Sequence, residues 1–212
     1  MKDKKKHKKS NFTLIELLAV VAISAILLGL SIPAFNTMIR GTGVDAAARI
    51  IGSELNAVRS AAITNLRWVA LIIPIRRVPA DYLHRAYRPC YVTQRGTNKG
   101  TFQEWVPDTK WEFLPTGTAV LDINKNAISG HVDGQFTDAS LINNVDYSDD
   151  ISGGSTDVDD VRGIIFDRLG KRRKGQCTVV VGNSTQDGAV SSTDNYIDIN
   201  IDANFGSISY RH

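Results

Sequence analysis

From Leu17 to Ile32, within the stretch KKSNFTLIELLAVVAISAILLGLSIPAF, the chain carries no charged residue. With the flanking Phe12 to Glu16 and Pro33 to Phe35, the run is long enough as a helix to cross a hydrocarbon core of about 30 Å. A helix that is apolar all round has no stable place in water, so this segment is expected to span a membrane. A carboxylate, Glu16, stands near its start. Such a charge in a bilayer costs about 2.5–3.5 kcal/mol on insertion scales, and so calls for a partner and a function.

The charge balance is uneven along the chain. Six lysines (Lys2, Lys4, Lys5, Lys6, Lys8 and Lys9) and one acid, Asp3, precede residue 12. Taking these from the 25 basic and 22 acidic residues leaves 19 and 21, a net of −2 for the remainder against +3 for the whole chain. A lysine block beside an apolar run stays cytoplasmic, which puts residues beyond about Phe35 outside. The block is therefore read as an orientation signal rather than a nucleic-acid patch. A secretory signal peptide would follow its apolar core with a small-residue cleavage site and then turn polar, whereas here the apolar run continues past Ala19 to Ala25.

The string Phe12-Thr13-Leu14-Ile15-Glu16-Leu17-Leu18, preceded by a short basic leader and followed by Pro33, resembles the type IV pilin and type II secretion pseudopilin family. Asn11 stands where that family has Gly. The resemblance implies cleavage by prepilin peptidase between Asn11 and Phe12, N-methylation of the new terminus, and a charge pair between Glu16 and the terminal amine of a neighbouring subunit. Opposite charges in low dielectric attract strongly while each alone is costly.

Beyond the membrane run, Val44, Ala48, Ile51, Leu55, Val58 and Ala62 recur at helical spacing, predicting a one-sided apolar stripe. Asp45, Arg49, Glu54, Asn56 and Arg59 fall off it. A helix from about Phe12 to Asn65 would be roughly 80 Å long, with Pro33, Gly41 and Gly43 as soft points. From Arg67 the pattern becomes β-type. Strands are predicted at Trp68 to Ile75, Tyr87 to Gln94, Thr101 to Val106, Ala119 to Ile123, Gly163 to Asp167, Cys177 to Gly182, Tyr196 to Asp202 and Ser207 to Tyr210. The sets Trp111, Leu114, Pro115 and Gly117, then Ile164-Ile165-Phe166 with Gly170, and Ile197 to Ile201 before Gly206 look like the GspH/FimT subfamily of minor pilins and pseudopilins.

The expected architecture is an α+β pilin fold, with a long N-terminal helix, its first half transmembrane, packed on antiparallel β-sheet. Residues 1–11 form a basic leader, 12–40 the transmembrane and filament-core half of the helix, 41–66 its amphipathic half, and 67–212 a β-rich head. An Asp/Asn/Ser/Gly-rich insertion at about 124–160 reads as exposed.

Candidate sites outside the N-terminus are few. Cys90 and Cys177 are the only cysteines, and in an oxidising compartment they are candidates for a disulfide. Asp122, Asn124 and Asn126 match the first positions of a calcium loop, but Ala127 replaces its Gly and Asp133 its bidentate Glu, so no metal is expected. His7, His84, His131 and His212 lack nucleophile or ligand spacing, and neither an enzyme nor a cofactor is expected. The stretch RLGKRRKGQ carries Arg168, Lys171, Arg172, Arg173 and Lys174. It is either a solvated turn or, through Lys171, Arg172, Arg173 and Lys174, a phosphate-binding loop for DNA.

The resemblance implies a minor subunit that helps to initiate or cap a type IV pilus or a type II secretion pseudopilus. It would sit in the bacterial inner membrane as a single pass, N-terminus cytoplasmic and head periplasmic or extracellular. Its expected partners are prepilin peptidase, other pilin or pseudopilin subunits and the inner membrane. The alternative is a DNA-binding minor pilin acting in DNA uptake through the basic loop.

Overall fold

The computed structural model describes residues 14–75, 78–79, 81–95, 99–124, 139–145, 161–172, 174–184 and 195–211, with the side chains at 30–41, 94, 95, 99, 124 and 143 left out. The leader with Asn11 and Phe12, the calcium-loop positions Asn126, Ala127 and Asp133, His7, His131, Arg173 and the aspartates of 146–160 lie outside the described residues. The chain divides into two compact units, Met1–Ile39 and Arg40–His212. One helix, α1 (Leu14–Asn65), contributes to both.

In the second unit α1 buries the stripe written in its sequence. Val44, Ala48, Ile51, Leu55, Val58 and Ala62 are each at most 2% exposed, and Ala47 joins them. Asp45, Arg49 and Asn56 face solvent, and Glu54 and Arg59 are half-buried. The helix ends without a glycine. Leu66 takes the left-handed conformation (φ 52°), and the Arg67 amide reaches back to the Ala62 carbonyl at 3.2 Å, a Schellman closure in which glycine is the usual occupant.

Ten strands follow: β1 (Val69–Pro74), β2 (Ala86–Arg95), β3 (Lys99–Trp105), β4 (Glu112–Phe113), β5 (Thr118–Asn124), β6 (Ser140–Asn143), β7 (Val161–Phe166), β8 (Cys177–Asn183), β9 (Tyr196–Ile201) and β10 (Ile208–Arg211). Eight lie where the alternation of apolar residues predicts them. Four form an antiparallel sheet in the order β10-β9-β8-β5. The others order as β1-β7-β6-β3-β2-β4, and an additional β1–β2 pairing closes β1, β7, β6, β3 and β2 into a ring.

The strand that completes the ring corrects two expectations. β6 lies in the polar insertion that was expected to be exposed, yet Ala139, Ser140, Ile142 and Val145 are buried. It pairs antiparallel with β7 and parallel with β3, Gly100 opposite Ile142, so the sheet is not wholly antiparallel. The reason lies in its side chains: Ile142 and Val145 fill the ring interior together with Ala70, Ile72, Cys90, Val92, Val161 and Ile165.

Because strand residues alternate between faces, β1 serves two cores. Ala70 and Ile72 point into the ring. Val69, Leu71 and Ile73 join α1, Phe166, Val179, Val181, Ile197, Ile199 and Ile201 in the main core outside it. Aromatic side chains pack edge to face beside the ring, with Trp105 against Phe102 and Trp111, and Tyr82 against Trp111 and Phe113. The Arg88 guanidinium lies over the Trp105 ring at 4.1 Å and donates to the Thr109 carbonyl at 2.7 Å.

Candidate assembly surfaces and the basic turn

In the first unit the described part of α1 is apolar on every side. Leu14, Ile15, Leu17, Leu18, Val20, Val21, Ile23, Ile26, Leu27 and Leu28 are all exposed, from 58% at Leu17 to 76% at Leu14. Since adjacent helical positions point about 100° apart, the exposed apolar residues at 14, 15, 17, 18, 20 and 21, with those at 23, 26 and 27 filling the sector around Glu16, leave no polar stripe. Glu16 is in the first turn, where a carboxylate is favoured by the helix dipole. Among the described residues no helix is long and apolar enough to cross a membrane. The uncharged run in the sequence continues to Ile32, beyond Leu28, the last described side chain of that segment.

Of the basic stretch, read as either a solvated turn or a phosphate-binding loop, two side chains are engaged within the fold. Arg172 is buried at 4% exposure, bridges to Phe166 across the turn and donates from Nη1 to the Gly175 carbonyl. Lys174 is half-buried, its Nζ 3.4 Å from the Ala139 carbonyl at the head of β6. Arg172 thus satisfies a carbonyl of the β7–β8 connection itself, and Lys174 ties that connection to the start of β6. Only Arg168 and Lys171 of the described cations in this stretch face solvent.

Cys90 and Cys177 form no disulfide, and both are buried. Cys90 points into the ring, while Cys177 belongs to the core shared with α1. A wall of β-strand thus stands between the candidate partners. Burial pushes the Cys90 thiol up, with Arg88 opposing. Asp122, first of the calcium-loop candidates, is buried in β5. No group of three metal-binding side chains occurs among the described residues.

Two features have no counterpart in the sequence reading. One is a notch of about 290 Å³ lined by Glu54, Tyr87, Pro89, Asp108, Thr109, Lys110 and Glu112. In it the Tyr87 hydroxyl donates to Glu112 Oε2 at 3.0 Å. Burial pushes the Glu54 carboxyl up, and the charge of Glu112 adds to that push. The other is a pair of exposed apolar turn residues, Leu169 and Phe205. The signal for the second was present as Asp-Arg-Leu-Gly and Asp-Ala-Asn-Phe-Gly, each an Asx-type turn start followed by a large apolar residue and glycine. The notch had none, because Glu54 and Glu112 meet only in the folded chain.

No family model and no curated protein matches the chain. Its structure is similar to that of the minor pseudopilin EpsH from the type 2 secretion system of Vibrio cholerae, at 14% identity and TM-score 0.45 over 79% of this chain and 94% of that one. A second EpsH structure gives 13% and 0.41 over 80% and 94%. The type IV minor pilin FimU of Pseudomonas aeruginosa gives 11% and 0.42 over 80% and 88%. At these values the functional reading rests on the chain's own residues.

Proposed function

We propose that this chain is a non-enzymatic minor subunit of a type IV pilus or type II secretion pseudopilus, one that helps to start or cap the filament. The observation that carries the reading is α1 itself. Its start, exposed and apolar on all sides, needs an apolar environment such as a bilayer or a bundle of like helices, while from Val44 onward the same helix buries a single stripe in the head. The FTLIELL string at its start supports this, since it resembles the site at which prepilin peptidase acts. On this reading the lysine-rich leader stays cytoplasmic, cleavage at Asn11-Phe12 frees an amine that is methylated, and the head lies in the periplasm or outside the cell. The inner membrane holds the subunit until Glu16 pairs with the amine of a neighbour. The DNA-uptake alternative loses weight with Arg172 buried and Lys174 engaged on Ala139.

Mass spectrometry of the membrane-extracted protein is the test. It is expected to find an N-terminal peptide beginning at methylated Phe12, and a chain retaining Met1 to Asn11 in cells with active peptidase overturns the reading. Glu16→Ala is expected to leave membrane insertion intact and to reduce the subunit in sheared filaments, because only the inter-subunit charge pair is lost. Undiminished incorporation of that variant contradicts the role given to Glu16.

A further inference from the structure

Two turns meet at the C-terminal end of α1, and they are built alike. In the β7–β8 turn Asp167 Oδ1 accepts from the Leu169 and Lys171 amides, each at 2.9 Å, and the Asp167 carbonyl accepts from the Gly170 amide at 2.8 Å. In the β9–β10 turn Asp202 Oδ1 accepts from the Asn204 and Phe205 amides, each at 2.8 Å, and the Asp202 carbonyl accepts from the Gly206 amide at 3.0 Å. Gly170 (φ 74°) and Gly206 (φ 61°) are in the left-handed region, and they let the turns close on the helix and on one another. A methyl on Gly170 would lie 2.6 Å from Ile63 Cδ1, and one on Gly206 would strike the Gly170 carbonyl. Arg59 Nε donates to that same carbonyl at 3.2 Å.

The backbone of both tips is thus fixed, and it holds large apolar side chains out in water. Leu169 and Phe205 are each 72% exposed, beside Ile63 at 43% and Leu66 at 65%. Exposed apolar side chains gathered in this way mark protein or membrane contacts. Their shape favours the second. Neither the notch at Glu54 and Glu112 nor a cleft of about 260 Å³ at Asp45, Ala48, Arg49, Ile197 and Tyr210 is lined by any of the four, so they stand as knobs and not as the walls of a groove. A protein partner needs matching hollows to pack such knobs at interior density, whereas a lipid surface is fluid and closes round them.

The charges beside the knobs choose the kind of lipid. Arg168 and Lys171 flank Leu169 and face solvent, and Arg59 is half-buried beneath. Among the described residues of the two turns the acids are Asp167 and Asp202, both half-buried with Oδ1 taken up by backbone amides. The solvated charge next to Leu169 is therefore cationic, and long cationic side chains lay their stems along apolar surface while their heads stay among polar groups.

We propose that this end of the head is a docking surface for an anionic bilayer, Leu169 and Phe205 entering the headgroup boundary while Arg168 and Lys171 meet the lipid phosphates. Binding of this kind combines buried apolar area with attraction to negative lipid, so neither part alone is enough. The contact uses the Arg40–His212 unit and is separate from insertion of the first part of α1.

The test uses the full chain kept soluble in a non-ionic amphipathic polymer, which shields the exposed start of α1 whatever its role. Asn204→Cys, next to Phe205, carries an environment-sensitive dye, the native Cys90 and Cys177 being fully buried. Brominated phosphatidylcholine vesicles with phosphatidylglycerol are expected to blue-shift and quench the dye, and added salt to reverse the effect. Phosphatidylcholine vesicles alone, or the free headgroup glycerophosphoglycerol, are expected to leave it unchanged. Leu169→Ser with Phe205→Ser, and separately Arg168→Gln with Lys171→Gln, are each expected to raise the lipid needed for half-quenching about tenfold or more. All four positions apart from the half-sheltered backbone are solvent-facing, and a circular dichroism melt matched to the unaltered chain checks that the variants fold. No quenching by anionic vesicles, equal quenching by neutral ones, a response to the free headgroup, indifference to salt in the unaltered chain, or undiminished binding by either folded double variant overturns the proposal.

Discussion

Glu54 is held half-buried on α1 facing Glu112, and its carboxyl titrates above the usual range, first through burial and then through that neighbouring charge. A raised carboxylate favours the fold most when protonated. Its contribution is complete below the ordinary carboxylate pKa and is lost as pH rises through the folded value. Glu54→Gln is therefore expected to raise the melting temperature at pH 7, with a gain that shrinks toward pH 4; an equal or lower melting temperature at pH 7 contradicts this. The glycines offer a sharper comparison. Gly170 and Gly175 both have positive φ, but a methyl on Gly175 meets open space and one on Gly170 meets Ile63 and Arg59. Both alanine variants bear the left-handed backbone cost of about 1–2 kcal/mol. Gly170→Ala is expected to lose more, and denaturant unfolding of the two proteins separates backbone strain from packing. Equal losses would mean that the β7–β8 turn does not press on the helix.

Among the elements, α1 and the long strands were legible because each carries its own period. The stripe from Val44 to Ala62 repeats at helical spacing, and β8, read from Cys-Thr-Val-Val-Val, is β-branched from Thr178 to Val181 and buried throughout. β4 and β6 were not legible. β4 has two residues, too few for a period. β6 lies among Asp, Asn and Ser, and what makes it a strand is its pairing with β3, forty residues earlier, and β7, twenty later. In the basic stretch composition told only that the side chains were cations; which of them are buried is set by the turn geometry. Truncation tests this assignment. Leu55→Ala in the helix is expected to cost about 2–5 kcal/mol, and Ile142→Ala in β6, equally buried, a similar amount. A loss within about 0.5 kcal/mol at Ile142, typical of a surface position, would return the segment to a loop.

For the molecule as a whole, every residue of the buried clusters lies at or beyond Val44. The head thus holds its own core, and a chain beginning at Arg40 is expected to unfold cooperatively on heating, as followed by circular dichroism. A broad, non-cooperative melt would show that the first unit contributes to the core. The ring has a further consequence, for the order in which the chain can fold. β1 is the first strand made, and one of its edges pairs with β2, some twenty residues on, while the other must wait for β7, about ninety residues on. Contacts so distant in sequence form slowly. Until they form, a strand as apolar as Val-Ala-Leu-Ile-Ile keeps one side open to any other chain nearby. During synthesis, the time between the arrival of Pro74 and that of Phe166 is therefore the interval in which this strand is most open to aggregation.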